Sequence, residues 1–336
     1  MEYATEDMNK NPDIYNNSFI GNYTTKEISN ISGINNNNSL GNKNDNETNP
    51  NKKLLNETEV DTLKKYVKYA AASYCSQSHL ETWSCGNRCV GNVTVESIFH
   101  DGKKGAFGFL GVDREAKEII VGFRGTHEWV SWLYNLRYLQ LDYEYPNSEG
   151  ALVHGGFYQI YDRVRESLLW RIQWMLNRAE NSCRGYNLII SGHSLGGVLA
   201  IFLGLDVKRY ILDPILEENT IGVPFDIRIT TIGEPRVGND KFAKLVESEF
   251  SKGSQNHIIS RITHRNDVIP HLPPHKVGFI HHRHEIWSKS KQENFYCNDE
   301  KVEDEPVEDK ECLMGSKVFD IVPHLFIWDI YFDSFC

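Results

Sequence analysis

Residues 189–200, IISGHSLGGVLA, set a single serine, Ser194, on a glycine-flanked joint between two apolar runs. A hydroxyl becomes a nucleophile only when a base takes its proton and donors meet the oxyanion that forms. Gly192-His193-Ser194-Leu195-Gly196 fits G-x-S-x-G, in which a strand turns sharply into a helix and lifts the serine at the helix N-terminus. Side chains at 192 and 196 would collide with neighbouring backbone, and the N–H groups opening the helix favour developing negative charge. The chemistry this permits is acyl transfer, and on such a sheet an acid and then a histidine follow the serine. RITHRNDVIPHLPP supplies Asp267, and His271, His275, His281, His282, His284 and His324 come after it. Order alone leaves the choice of histidine open.

The elements that must position these groups are visible as periodicities. In NETEVDTLKKYVKYAAASYC, Val60, Leu63, Val67, Ala71 and Tyr74 recur at steps of three and four, Thr58 and Asp61 resemble a capping box, and a helix ending at Cys75 is expected. GAFGFLGVD and EIIVGFRG, joined by DREAK, read as a hairpin. Ile160, Val164, Leu168, Ile172 and Leu176 mark a second helix. Beyond it, YNLIISG, DIRITTIGEPRVGN (a strand ending in a loop) and HIISRITHRND alternate as strands with the helical SLGGVLAIFLGLDVKR and DKFAKLVESEF. That alternation predicts a mostly parallel central sheet flanked by helices, an α/β fold occupying residues 57–336 as one domain. Residues 1–56 are dominated by asparagine, with almost no periodic apolar positions, and are expected to be a disordered tail or propeptide. Their N-x-Ser/Thr triplets at Asn16, Asn22, Asn30, Asn37, Asn46 and Asn56 are what any asparagine-rich tract generates.

Composition excludes some roles. With a net charge of −10, the chain is not expected to bind nucleic acid or anionic surfaces, and no apolar stretch is long enough for a transmembrane segment. MEYATEDMNK lacks the basic start and apolar run of a secretory leader. Seven cysteines without a C-x-x-C pair nevertheless favour staples over zinc ligands, and an oxidising compartment. HHRHEIW crowds three histidines together without further ligands placed to complete a metal site, so neither metal nor cofactor is expected.

GHSLGG, FRGT, VHGGFY, GEPRVGN, THRNDVIPHLPP and DIVPHLFIW resemble, in order, the blocks of the class 3 fungal-type triacylglycerol lipases, over most of residues 60–336. The resemblance implies an α/β-hydrolase fold with Ser194 as nucleophile, Asp267 as the acid that orients the imidazole, and His324 as general base. It implies an oxyanion hole from the Leu195 N–H and the N–H and hydroxyl of Thr126. His154, His193, His281, Glu285 and Trp287 would be framework. Trp129, Trp132, Leu133 and Leu136 share one face of a short helix, a pattern that suits a fixed amphipathic helix or, at the place where the family carries one, a mobile lid. The resemblance also implies disulfides Cys75–Cys336, Cys85–Cys89 and Cys297–Cys312, leaving Cys183 unpaired. The polar runs DYEYPNSEG and NDEKVEDEPVEDKE read as solvated loops. The expected protein is a secreted, monomeric triacylglycerol lipase acting on lipid esters at a lipid–water interface. A phospholipase A1, a feruloyl-type esterase or a non-catalytic surface protein on the same scaffold are the alternatives. A tryptophan-rich rather than asparagine- and threonine-rich lid favours long acyl glycerides over feruloyl esters.

Overall fold

The computed structural model describes residues 53–102, 105–126, 138–178, 180, 182–217, 224–250, 258–297 and 308–336. Trp129, Trp132, Leu133 and Leu136, most of the asparagine-rich segment and residues 298–307 of the acidic run lie outside the described residues.

The hairpin expected from GAFGFLGVD and EIIVGFRG is β3 (Phe107–Asp113) and β4 (Glu118–Phe123), preceded by β2 (Val93–His100) and the edge strand β1 (Lys53–Leu54). Two short strands, β5 (Gln140–Asp142) and β6 (Leu152–His154), pair with each other. Then come β7 (Asn187–His193), β8 (Ile227–Ile232), β9 (Ile258–His264), β10 (Glu285–Ser288) and β11 (Asn294–Tyr296), with a small terminal pair β12 (Phe326–Ile327) and β13 (Ile330–Tyr331). Nine of them form one sheet in the order β1-β11-β10-β9-β8-β7-β4-β3-β2. The five from β10 to β4 are parallel to their neighbours and both margins are antiparallel.

Four longer helices cover the sheet: α1 (Glu57–Ala72), α2 (Gly155–Asn177), α3 (Leu195–Val207) and α4 (Asp240–Phe250). Successive strand residues point to opposite faces. Accordingly Leu188 and Ile190 of β7 join α2, α3 and α4 in one core, whereas Ile189 sits with residues of α1 in another. With both faces covered the central strands can be apolar at every position, and all thirteen residues of α3 are buried as well.

Order begins before the expected boundary at 57, since Lys53 and Leu54 pair with Tyr296 and Phe295. The cap of α1 also differs. Asn56 accepts from the Glu59 N–H and the Glu59 carboxylate accepts from the Asn56 N–H, so the capping box is Asn56/Glu59 and not Thr58/Asp61. Asparagine at the cap holds its side-chain oxygen within reach of the third helical N–H. Helix α1 ends at Ala72, ahead of Tyr74 and Cys75. The disulfides are Cys75–Cys336, Cys85–Cys89 and Cys297–Cys312, the pairing the resemblance implied, and Cys183 is buried and unbridged.

Candidate active site

Strand β7 delivers Ser194 and the first turn of α3 receives it. Ser194 has φ 56° and ψ −126°, a backbone region that costs a non-glycine residue of order 1–3 kcal/mol and persists only where the surroundings impose it. They do so through close packing. A Cβ on Gly192 would lie 2.0 Å from the Gly196 carbonyl oxygen, and one on Gly196 would lie 2.6 Å from that of Phe123. The glycines of G-x-S-x-G therefore allow β7, α3 and the end of β4 to meet around the serine. The Ser194 N–H donates to the Ile232 oxygen at 2.8 Å, anchoring the elbow to β8.

The next residue after Ile232 is Gly233, and it carries the second half of the arrangement. With φ +57°, its backbone lies against the imidazole–carboxylate pair: a Cβ there would stand 2.8 Å from His324 Nδ1 and 2.9 Å from Asp267 Oδ2. His324 Nδ1 and Asp267 Oδ2 are 2.8 Å apart, and both side chains are about 1% exposed. The second Asp267 oxygen accepts from the Ile269 N–H at 2.9 Å, which fixes the carboxylate plane. An ionised Asp267 accepts only, so the His324 hydrogen sits on Nδ1 and the Nε2 lone pair is the basic site. Elbow and pair thus meet over two consecutive residues, Ile232 and Gly233.

The loops that carry the acid and the histidine hold each other. Asp267 follows β9 and Val268 N–H donates to the Asp320 oxygen, while Asp320 N–H donates to that of Asn266. His264 Nδ1 donates to the Pro323 oxygen at 3.0 Å, directly ahead of His324. From the other side, Arg236 Nη1 donates to the His271 and Pro273 oxygens and its Nε and Nη2 form a two-pronged pair with Glu308 at 2.7 Å each. Burial opposes ionisation of Glu308, but the Arg236 guanidinium outweighs it and holds the carboxyl well below its usual range. The acidic run is therefore not wholly a solvated loop: Glu308 is 8% exposed and also accepts from the His281 N–H.

Thr126 follows β4 and is buried, and Leu195 opens α3. A Cβ on Gly125 would fall 2.9 Å from Ser194 Cβ, so the residue before Thr126 passes directly beside the serine. First-turn N–H groups of a helix have no intrahelical acceptor and can face a developing oxyanion. The remaining histidines of the conserved-looking blocks do framework work. His154 caps α2, its ring accepting from the Phe157 N–H, and His281 donates to the Pro270 oxygen. Glu285 accepts from Thr263 and Arg261, and Trp287 donates to the Arg265 oxygen.

Known proteins are similar to this chain in sequence and fold. A model of the family described as lipase (class 3) matches residues 120–277. A lipase of Rhizopus niveus is 31% identical over 277 residues, covering 81% of this chain and 64% of its own length. A secreted mono- and diacylglycerol lipase of Fusarium solani is 27% identical, covering 68% of this chain and 63% of its own length. The chain thus spans a little under two thirds of these relatives. The solved structure of lipase II from Rhizopus niveus superimposes with a TM-score of 0.69 at 28% identity, over 84% of this chain and 99% of that one. The chain is thus similar to the class 3 lipases in sequence and in fold.

Ser194, Asp267, His324, Thr126 and Leu195, the residues singled out by the resemblance, are brought by the fold to the loops at one end of the sheet. Reading along the chain missed Gly233, His264, Arg236 and Glu308. The first three lie inside the family blocks GEPRVGN and THRNDVIPHLPP, which was the available signal. Glu308 had none, because one buried carboxylate in an acidic run looks like its neighbours.

Proposed function

We propose that this protein is a class 3 lipase that hydrolyses carboxylic esters of acylglycerols through an acyl-enzyme on Ser194. The buried His324–Asp267 pair, seated on Gly233 beside the strained serine, carries the reading. His324 Nε2 takes the Ser194 proton as Oγ attacks the ester carbonyl, and Asp267 stabilises the imidazolium without itself accepting the proton. The tetrahedral oxyanion is met by the Leu195 N–H and by the N–H and hydroxyl of Thr126. Collapse breaks the bond to the alkoxy oxygen, which leaves with the proton returned by His324. Water then repeats the sequence on the acyl-enzyme, so that each turnover consumes one water and releases one alcohol and one fatty acid.

The relatives are named lipase and secreted mono- and diacylglycerol lipase, and on that likeness the substrate class is acylglycerol and the protein is exported. Three disulfides suit an oxidising compartment. A fluorophosphonate that esterifies activated serines tests the chemistry: wild type labels at Ser194 and Ser194→Ala does not. Absence of label on the wild type would refute the proposal and leave the non-catalytic scaffold reading. Release of fatty acid from emulsified tri-, di- and monoacylglycerol, against a phospholipid and methyl ferulate, then assigns the ester.

A further inference from the structure

Tyr74 stands outside the triad, fully within the protein, just past the end of α1. Its hydroxyl oxygen accepts from the Gly125 N–H at 3.0 Å and lies 2.6 Å from His193 Nδ1. His193 Nε2 in turn lies 2.8 Å from the backbone oxygen of His324. A carbonyl can only accept, so Nε2 carries the hydrogen of a neutral His193 and Nδ1 accepts the tyrosine proton. One consistent direction results: Gly125 N–H to Tyr74 Oη, Tyr74 O–H to His193 Nδ1, His193 Nε2–H to His324 O. The ends of this chain of hydrogen bonds are the residue next to Thr126 and the main chain of the general base.

We propose that Tyr74 and His193 are positioning residues that couple the oxyanion loop to the backbone of His324, so that donor and base are set against Ser194 as one unit. The inference rests on the catalytic reading above. Its parts are immobilised on every side. The His193 ring stacks on Phe332 at 3.8 Å between centroids, 7° from parallel, and lies 4.5 Å from the His324 ring. Phe332 also contacts Tyr74, and Cys75, the residue after Tyr74, is bonded to Cys336 four residues beyond Phe332. The segment from Phe332 to Cys336 is thereby fastened beside the relay. At the end of β4 the Arg124 N–H donates to the Phe107 oxygen of β3, and the next N–H, that of Gly125, goes to Tyr74. A tyrosine hydroxyl fixed by a disulfide-tethered helix end provides a stationary acceptor, and preorganised donors lower a barrier because they need not reorient during reaction.

The test uses the full-length oxidised protein with a short-chain soluble ester, so that no lipid surface intervenes. Tyr74→Phe removes the hydroxyl and keeps the ring. It is expected to lower kcat 10- to 100-fold with KM within twofold. Affinity for a trifluoromethyl ketone, which forms an oxyanion adduct on Ser194, falls by the same factor, whereas affinity for the fatty-acid product is unchanged. Amide exchange at Gly125 accelerates at least tenfold. His193→Gln keeps a donor near Nε2 and loses the acceptor for Tyr74, so it reproduces these effects. His193→Asn, whose amide oxygen stands near Nδ1, retains more ketone affinity than His193→Gln. If Tyr74→Phe fails to fold by circular dichroism, the two His193 variants carry the comparison. Ketone affinity and Gly125 exchange both within twofold of wild type would overturn the relay, even alongside a lower melting temperature. Failure of the phosphonate to label wild type would sink the catalytic reading instead, with Gly125 exchange still reporting on the relay.

Discussion

Gly233 shows how much a single position without a side chain determines here. Its left-handed φ of +57° costs a residue with a Cβ about 1–2 kcal/mol, and the added carbon would press on His324 Nδ1 and Asp267 Oδ2 together. Gly233→Ala is therefore expected to lower kcat by more than a hundredfold on a soluble ester while far-ultraviolet circular dichroism stays native; retained activity would show that the pair can shift without loss. Asp267→Asn removes the acceptor that fixes the His324 tautomer. By analogy with a serine-protease triad, the expected loss is on the order of 10⁴ in kcat with the fold intact. A loss below tenfold would mean that Asp267 does not orient the base. At Thr126, removal of the hydroxyl by Thr126→Val should slow the enzyme roughly a hundredfold, about the cost of one oxyanion donor. An unchanged rate would exclude that hydroxyl from the hole.

At the scale of elements, the loops after β8 and β9 are held by charges that local pattern does not announce. Arg236 bonds two carbonyls of the loop following Asp267 and is neutralised by Glu308, which lies in the acidic run shortly before Cys312. Both side chains are under 5% exposed, so removing one partner leaves a buried charge alone. Glu308→Gln is expected to destabilise the protein by about 3–5 kcal/mol, read from urea denaturation. A change below about 1 kcal/mol would mean that water reaches Arg236. The longer elements needed no such help. Helices α2 and α4 and strands β7, β8 and β9 appear where their apolar periods place them, because a covered face enforces its own pattern. The short margins were not legible. Strands β10, β11 and β1 have four, three and two residues, too few for a period to show. The cap of α1 was misplaced by two positions for a related reason: several polar residues precede the helix, and only geometry selects Asn56.

Across the whole molecule, buried histidines make stability depend on acidity. Burial lowers His154 and His281 to about 4 and His271 to about 3, and it also pushes His193 and His264 below the ordinary histidine range. A histidine that is harder to protonate when folded takes up its proton first in the unfolded chain. The stability it contributes is complete above about pH 6.5 and is lost as pH falls toward its folded value, at up to about 1.4 kcal/mol per pH unit for each group. Urea midpoints should therefore be constant from pH 8 to 7 and decline steeply between pH 6.5 and 4, and a flat profile across that window would contradict the burial of these rings. The depressed Glu308 carboxyl adds to the loss at the acid end, while Glu285, raised by burial, opposes it.

The sequence by itself determined which serine stands on the strand-to-helix elbow, the order of the acid and the histidine, and the long elements, because these follow from local rules: glycines where backbones touch, and apolar periods where faces are covered. It also carried the cysteine pairing through resemblance to the family. Only the tertiary structure decided what surrounds those groups. Gly233 beneath the pair, His264 and Arg236 bracing the two loops, Glu308 inside the protein, and Tyr74 linked through His193 to His324 all join residues distant in the chain, by as many as 131 positions, or stand at a turn whose importance depends on what folds over it. Contacts of that separation leave no period in a chain, since the packing that creates them is a property of several elements at once.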